Sequence, residues 1–307
     1  MSVVFWKELA DHFSSRRFMI LLAIIVLTGV WAIYASGQSI RQDAESAPVE
    51  FVFLLLVTSQ SGGLLSLATF LGLLGPLVGI MLGFDAISGE YARGTLSRVL
   101  SQPIYRDSLI NGKFLAGLAT VATLWASILL LVIGLGITLV GFPPNAEELW
   151  RMLIFTVVGI FYVGFWLALA LLFSLLFQRT VTAALGSLAL WLFLAIFAPL
   201  IAQIAAGLIV PDPSTAQALA RQADIAGMIS RISPSTLYEE TVHVVLNPTA
   251  RVLGLALEEQ TRGILLTPLA LRQSLLLILP QFTTLIALVG LCFGICYIKF
   301  MRTEIRA

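Results

Sequence analysis

Charged side chains are scarce in this chain: only 11% of its 307 residues are Asp, Glu, Lys or Arg, against about 25% in a soluble domain. Hydrophobic residues make up 59% of the sequence, and the mean hydropathy is +0.97. A chain of this composition cannot hide its apolar surface in a water-soluble core. The net charge of +1 and the dispersal of the basic residues also exclude a surface for nucleic acid.

Residues that bind metals or form disulfides are equally few. Cys292 and Cys296 are the only cysteines, and both lie in the last apolar run. They offer no disulfide framework, and we interpret them as small packing residues rather than as a site for a soft metal. His12 and His243 are isolated from each other in sequence. No metal site is therefore predicted.

The sequence also lacks the residues that an enzyme would need. No Gly-x-x-x-x-Gly-Lys-Ser/Thr loop is present, so the chain itself is not expected to bind ATP. Two pairs of adjacent glutamates remain as candidates for acid–base chemistry, Glu239 with Glu240 and Glu258 with Glu259. Neighbouring positions on a helix point about 100° apart, so we interpret both pairs as solvated helix surface. No catalytic residue and no cofactor in this chain are predicted.

What the sequence does contain is a series of apolar runs that are long enough to cross a bilayer. They predict an all-α, polytopic membrane protein that forms a single domain over residues 1–307. The six predicted spans are residues 18–35, 64–84, 114–140, 153–177, 181–210 and 281–298.

The segments between the spans carry further expectations. Residues 1–17 have apolar side chains on one helical face and Glu8 and Asp11 on the other, as in a helix that lies in the membrane interface. Because this segment contains acidic residues, we interpret residues 18–35 as a retained span rather than a cleaved signal peptide. Residues 51–57 are expected to lie in the interface or to extend the second span outwards.

Prolines mark the predicted breaks in the second half. Pro199 should kink or break the fifth span. Residues 211–280 are predicted to form a helical segment outside the membrane, with helix starts at Pro213-Ser214-Thr215 and at Ser233-Pro234-Ser235 and an end at Asn247-Pro248. The last part of this segment should dip into the interface, up to Pro280, before the sixth span begins.

The distribution of positive charge predicts which ends of the spans face the cytoplasm. The short segments on one side hold eleven lysines and arginines, whereas the two short loops on the other side hold only Arg41 and Arg151. This asymmetry places both termini and residues 85–113 in the cytoplasm of a multi-pass protein of the cell membrane. The predicted spans contain no charged residue, which argues against a proton- or ion-coupled carrier.

Residues 84–117 form a long polar interruption on the predicted cytoplasmic side. Leu96, Val99 and Leu100 share one face of a short predicted helix, and Pro103 ends it. Such a helix is a surface that a soluble partner can bind. The alternative is a basic loop that only sets the topology.

Glycines recur at intervals of four in the second span, at Gly75, Gly79 and Gly83. This doubled Gly-x-x-x-Gly pattern lets a neighbouring helix backbone approach closely. The neighbour can belong to the same subunit or to a second copy, and the pattern does not distinguish them.

The polar interruption also resembles a known family. The residues that carry the resemblance are Gly89, Glu90, Arg93, Gly94, Thr95, Leu96, Leu100, Ser101, Pro103, Ile104, Arg106 and Lys113. Together they are similar to the segment between spans two and three of type-2 ATP-binding-cassette (ABC) permeases. The subgroup they resemble comprises the permeases related to nitrous-oxide-reductase maturation and gliding motility.

The resemblance implies a partner-driven machine. Members of this family work as dimers of six-span subunits, formed by two identical or two similar copies. Two cytoplasmic ABC ATPase subunits hold ATP and magnesium, and they grip the helix between spans two and three. Carried over by position, the coupling residues would be Glu90, Arg93, Thr95, Leu96, Val99, Leu100, Pro103 and Arg106.

Two functions remain open from the sequence. The first is the permease subunit of an ATP-driven transporter, an exporter, whose substrate the apolar walls do not identify. The second is a membrane anchor that transmits force from a cytoplasmic ATPase to an extracytoplasmic protein without moving a solute.

Overall fold

The computed structural model describes residues 2–43, 51–60, 65–95, 105–211, 215–249 and 269–302. Within these residues every regular element is helical, which confirms the predicted all-α class. Helices satisfy all backbone hydrogen bonds within one segment, as a lipid environment requires. The helices are α1 (Ser2–Ser14), α2 (Arg16–Asp43), α3 (Val52–Thr58), α4 (Leu67–Gly83), α5 (Ser88–Ala92), α6 (Arg106–Val140), α7 (Ala146–Leu176), α8 (Thr180–Leu192), α9 (Ala198–Ile209), α10 (Ala216–Ser230), α11 (Pro234–Leu246) and α12 (Leu271–Arg302).

Five helical stretches in the described part are long and apolar enough to cross a membrane. They are α2, α6, α7, the combined α8 and α9, and α12. The second predicted span corresponds to α4, an apolar helix of only 17 residues with Pro76 inside it. These helices confirm the polytopic membrane class.

Helix α7 lies at the centre of the bundle. In its apolar stretch 72% of the residues are buried, against 11% in the combined α8 and α9. Tyr162 and Trp166 of α7 are fully buried, and α4, α6, α11 and α12 all pack against this helix. The helices α8 and α9 instead leave large apolar side chains exposed, which suits contact with lipid.

The bundle has two distinct ends. The α1 end holds helices α1 and α5 and the beginning of α6, whereas the α11 end holds α3, α10 and α11 and the beginnings of α7 and α12. The turn between α7 and α8 comprises residues 177–179, so these helices are antiparallel neighbours, as their short connection predicts.

The segment expected at the interface or as an extension of the second span, residues 51–57, contributes to helix α3, which is separate from α4. Its side chains Phe53, Leu54 and Leu56 are buried against the rest of the bundle. The helix packs against α2 and α6. The Glu148 carboxylate of α7 accepts a hydrogen bond from the Phe53 amide at 2.9 Å. This contact satisfies a backbone donor that the first turn of a short helix leaves free.

Helices α2 and α12 extend beyond the predicted first and sixth spans. Helix α2 continues past residue 35 to Asp43, because Ile40 is buried and Arg41 donates to the Leu139 carbonyl at 2.8 Å. Helix α12 begins at Leu271 and runs through Pro280 without a break. Proline removes one backbone donor, whereas ending the helix in an apolar environment would free several, so the helix continues.

The predicted helix starts and end in the second half agree with the structure, and the fifth span is interrupted near Pro199. A π-helical turn, Phe193–Phe197, interrupts the fifth span just before Pro199; such turns are a common origin of helix kinks. Helix α10 begins after Thr215, whose hydroxyl accepts from the Ala218 amide at 3.2 Å. Helix α11 begins after Ser233 and ends before Asn247, as predicted.

Candidate coupling site at the alpha1 end

Helix α1 docks closely on α6. Val4 is buried at this contact, and a Cβ atom added at Gly112 would lie 2.8 Å from its Cγ1 atom. The missing side chain at Gly112 therefore allows the two helices to approach. This approach brings Glu8, one turn further along α1, into reach of Lys113 on α6.

Lys113 lies between two carboxylates from different helices. Its Nζ atom is 2.9 Å from Glu8 Oε1 of α1 and 2.7 Å from Glu90 Oε1 of α5. The side chains of Lys113, Glu8 and Glu90 are 5%, 11% and 10% exposed. We call these three residues the buried ion cluster. It joins three helices whose contributions are far apart in sequence.

The electrostatics make the cluster sensitive to the loss of any member. Charges in a poorly solvated site interact strongly, but removing one partner leaves an uncompensated charge. Burial pushes the pKa of Glu8 upward, but the ammonium groups of Lys113 and Lys7 together lower that pKa below its ordinary value of 4.5. The second oxygen of Glu90, Oε2, is buried and has no hydrogen-bond partner in the part of the chain that the structure describes.

A ring of more exposed charges surrounds the buried ion cluster. Lys7 pairs with Asp11 at 3.0 Å, and Arg17 pairs with Asp85 at 3.4 Å. These charged residues and the buried ion cluster line a cavity of about 390 Å³, and His12 lines it too. Burial lowers the pKa of the His12 imidazole from 6.5. Lys7 and Asp11 form their pair within α1, whereas the Arg17–Asp85 pair joins the beginning of α2 to the α4–α5 connection.

The α4–α5 connection is itself fixed to the central helix. Ser174, near the end of α7, accepts hydrogen bonds from the Ile87 and Ser88 amides, both at 2.9 Å. Its hydroxyl also donates to Ser88 Oγ at 3.1 Å. The connection, α1 and α6 are therefore joined to α7 by polar contacts.

The predicted coupling residues that the structure describes lie in different environments. Glu90 is buried in the ion cluster, whereas Arg93 is exposed at the end of α5. The Thr95 amide donates to the Glu90 carbonyl at 3.0 Å, and Arg106 is the first residue of α6. The remaining members, Leu96, Val99, Leu100 and Pro103, lie outside the described residues. The described members thus flank that stretch on both sides.

The three regularly spaced glycines face α7 of the same chain. A Cβ atom at Gly79 would lie 2.6 Å from the Val163 carbonyl oxygen, and one at Gly83 would lie 2.8 Å from the Leu167 carbonyl oxygen. At Gly75 the nearest atom would be Val163 Cγ2, at 3.0 Å. Of the two neighbours that the pattern allows, the structure places a helix of the same subunit against this face.

A second polar cluster holds the α11 end together. The Arg151 side chain is fully buried, and it donates to Glu147 at 2.8 Å, to the Val245 carbonyl at 2.9 Å and to the Leu269 carbonyl at 2.7 Å. It also donates to Ser274 Oγ at 3.2 Å. Arg151 thereby ties α7 to the end of α11 and the beginning of α12.

Sequence reasoning missed several of these partners. The sequence places Lys113 among the residues of the family resemblance and Glu8 on the polar face of the N-terminal helix, but it predicts no contact between them. Glu240 was expected to be solvated, but it is buried, with Arg231 at 2.9 Å and Gln281 at 3.3 Å. One sequence signal could have indicated these pairs: a single charged residue directly beside an apolar run. Such a residue is expected to be buried, and a buried charge needs a partner.

No group of three or more His, Cys, Asp or Glu side chains in the described ranges is arranged to hold a metal ion. What the α1 end offers is a junction of helices held by buried ion pairs. Its neighbour in sequence is the stretch in which a partner-binding helix is predicted.

Comparison with known proteins gives the following matches. The profile of the family described as "ABC-2 family transporter protein" matches residues 2–305. The "Probable ABC transporter permease protein NosY" of Pseudomonas aeruginosa is 39% identical over 109 residues, which cover 36% of this chain and 35% of that protein. The protein of the same name from Stutzerimonas stutzeri is 37% identical over 108 residues, 35% of each chain. The chain thus aligns with only about a third of the length of these curated relatives.

Proposed function

Because this chain belongs to the ABC-2 family of transporter proteins, we propose that it is the membrane-spanning permease subunit of an ATP-driven transporter. The family predicted from residues 84–117 is confirmed, and the relatives named NosY support the predicted subgroup. In the proposed complex, ATP is hydrolysed by separate cytoplasmic ATPase subunits. This chain receives the resulting movement and passes it to the spans.

The proposed orientation places the α1 end in the cytoplasm and the α11 end outside. The eleven-to-two distribution of lysine and arginine over the short segments supports this orientation. Two ATPase subunits and a second permease copy complete the proposed assembly in the cell membrane. The second copy can be identical to this chain or similar to it.

The observation that carries the proposal is the buried ion cluster of Glu8, Lys113 and Glu90. Its members Glu90 and Lys113 flank in sequence the stretch 96–104, where the ATPase contact is predicted. A push on that stretch reaches α5 on one side and α6 on the other, and the cluster holds both against α1. The Ser174 contacts then extend the junction to the central helix α7.

A second candidate function is transmission of force to an extracytoplasmic protein without transport of a solute. The observation that favours it is the course of α7, which runs from Ser174 at the α1 end to Arg151 at the α11 end. Through Arg151, a displacement of α7 would be felt by α11 and α12 at the outer surface. Both functions require the same ATPase contact.

The predicted helix at residues 96–100 provides the test. Burying one leucine contributes about 1.5–3 kcal/mol. Leu96→Asp combined with Leu100→Asp should therefore weaken binding of the cognate ATPase by on the order of a hundredfold or more. Copurification of the ATPase with the tagged chain from membranes measures the loss.

Thermal unfolding of the purified double variant without the ATPase is the control. If the leucines pack against the chain's own spans, the lone variant will melt earlier. A variant that melts earlier and still binds the ATPase normally would refute the docking role of this face.

A further inference from the structure

The α11 end contains a large cavity that the proposed coupling role does not use. It lies between α3, α4 and α11 and has a volume of about 740 Å³, within the roughly 300–1,000 Å³ of small-molecule sites. Leu54 and Leu55 of α3, Ala68 of α4 and Val242 of α11 form an apolar wall. The cavity thus has room for an apolar molecule of moderate size.

One carboxylate stands out among the lining residues. Glu239 of α11 is accessible from the cavity, and no hydrogen bond or ion pair joins its side chain to a described residue. Burial raises its pKa from 4.5, with no opposing contribution from a basic neighbour. No lysine or arginine is found among the described residues that line the cavity. Helix α11 contributes two further titratable residues to the cavity wall, Tyr238 and His243.

The Tyr238 ring forms part of the same wall. The ring is held in place by stacking on Tyr162, with the ring centroids 4.3 Å apart. The Tyr238 hydroxyl oxygen is buried away from the accessible surface, so Glu239 is the group that can meet a charged ligand from this wall.

We propose that the cavity between α3, α4 and α11 binds an amphipathic organic cation, with its apolar body against α3 and α4 and its positive group beside Glu239. Glu239 lies at the exposed edge of the apolar cavity, and no lysine or arginine among the described lining residues competes with a cation for this carboxylate. In the proposed transporter such a molecule would be cargo, and that assignment rests on the proposed function. The binding itself requires no ATPase.

The test compares two probes of nearly the same size and opposite charge, tetraphenylphosphonium and tetraphenylborate. Equilibrium dialysis against the full chain in lipid nanodiscs, corrected with empty nanodiscs, measures binding of each. The cation should bind and the anion should not. Glu239→Gln should weaken binding of the cation by about tenfold or more, as expected for the loss of one close charge pair.

Two further variants keep the test decisive. Asp224→Asn removes an exposed carboxylate from α10, outside the cavity wall, and should leave binding unchanged. Thr69→Trp places a large side chain in the cavity, so it should abolish binding while the melting temperature is preserved. Because this variant retains Glu239, it tests the cavity independently of the charge.

Three results would overturn the proposal: no binding above that of empty nanodiscs, equal binding of the borate, or unchanged binding by Glu239→Gln. All three are measured without an ATPase. A negative result would therefore leave the proposed permease function standing, and a failed ATPase copurification would leave this site standing.

Discussion

Replacing Lys113 by methionine should release helix α1 from the bundle. The substitution keeps much of the apolar stem but removes the ammonium group that Glu8 and Glu90 share at 2.9 and 2.7 Å. Both carboxylates then remain in a site where little solvent reaches them. Removing one partner of a buried ion pair costs about 3–5 kcal/mol, because the remaining charge is uncompensated.

The cost can be measured through the accessibility of Val4, a residue of α1 that is buried at the contact with α6. In a background that lacks Cys292 and Cys296, a Val4→Cys side chain should react slowly with a water-soluble maleimide. If release of α1 becomes easier by 3 kcal/mol or more, labelling should accelerate by about a hundredfold or more.

Lys7→Met is the matched control. Lys7 also contacts Glu8, at 3.1 Å, but its side chain is 63% exposed, and exposed ion pairs contribute only about 0–1 kcal/mol. Labelling should change little. The triple variant Lys113→Met, Glu8→Gln and Glu90→Gln should recover much of the loss, since no charge then remains unpaired. Equal labelling rates in the Lys113→Met variant and the parent would refute the clamping role of the buried ion cluster.

Three further predictions concern stability, measured by thermal unfolding in detergent. Gly79→Ala should cost about 1–3 kcal/mol because its Cβ would lie 2.6 Å from the Val163 carbonyl oxygen, whereas Gly134→Ala, with no atom within 4 Å, should cost nothing; equal losses would contradict the close α4–α7 contact. Arg151→Met should cost about 3–5 kcal/mol, since its fully buried guanidinium joins α7 to α11 and α12; an unchanged melting temperature would contradict this. The folded-state pKa of Glu8 lies below 4.5, so its stabilising contribution is complete above pH 4.5 and is lost as pH falls through the folded-state value. Over that acid range the Glu8→Gln variant should lose less stability than the parent. Parallel curves of stability against pH for the two proteins would speak against the shift.

The sequence predicts the elements of this fold better than their partners. Helix starts at Thr215 and Ser233 depend on local chemistry, so they can be predicted from a few neighbouring residues. Pro280 shows the limit of such reasoning, because whether a helix tolerates proline depends on what surrounds it. The burial of α3 likewise depends on helices that are distant in the chain.

The candidate site was predicted in part. Residues 85–113 could be identified as a functional segment from their polarity and their resemblance to a family. The pairing of Lys113 with Glu8 could not be, since the two residues lie 105 positions apart. Helical periodicity shows which face of α1 is polar, but it does not show which residue of another helix will meet that face.

Helices α4 and α7 pack closely against each other along the three glycines of α4. Bending one against the other would strain backbone contacts along the line of Gly75, Gly79 and Gly83, so the pair should move as a stiff body. We therefore expect conformational change of the subunit to be concentrated in α8 and α9. In the apolar stretch of these helices only 11% of the residues are buried. The exposed apolar surface of α8 and α9 is the part on which bilayer thickness and acyl-chain order can act, whereas the contact between α4 and α7 is shielded from lipid. Lipid composition should therefore set how fast the subunit changes shape more than how stably it is folded.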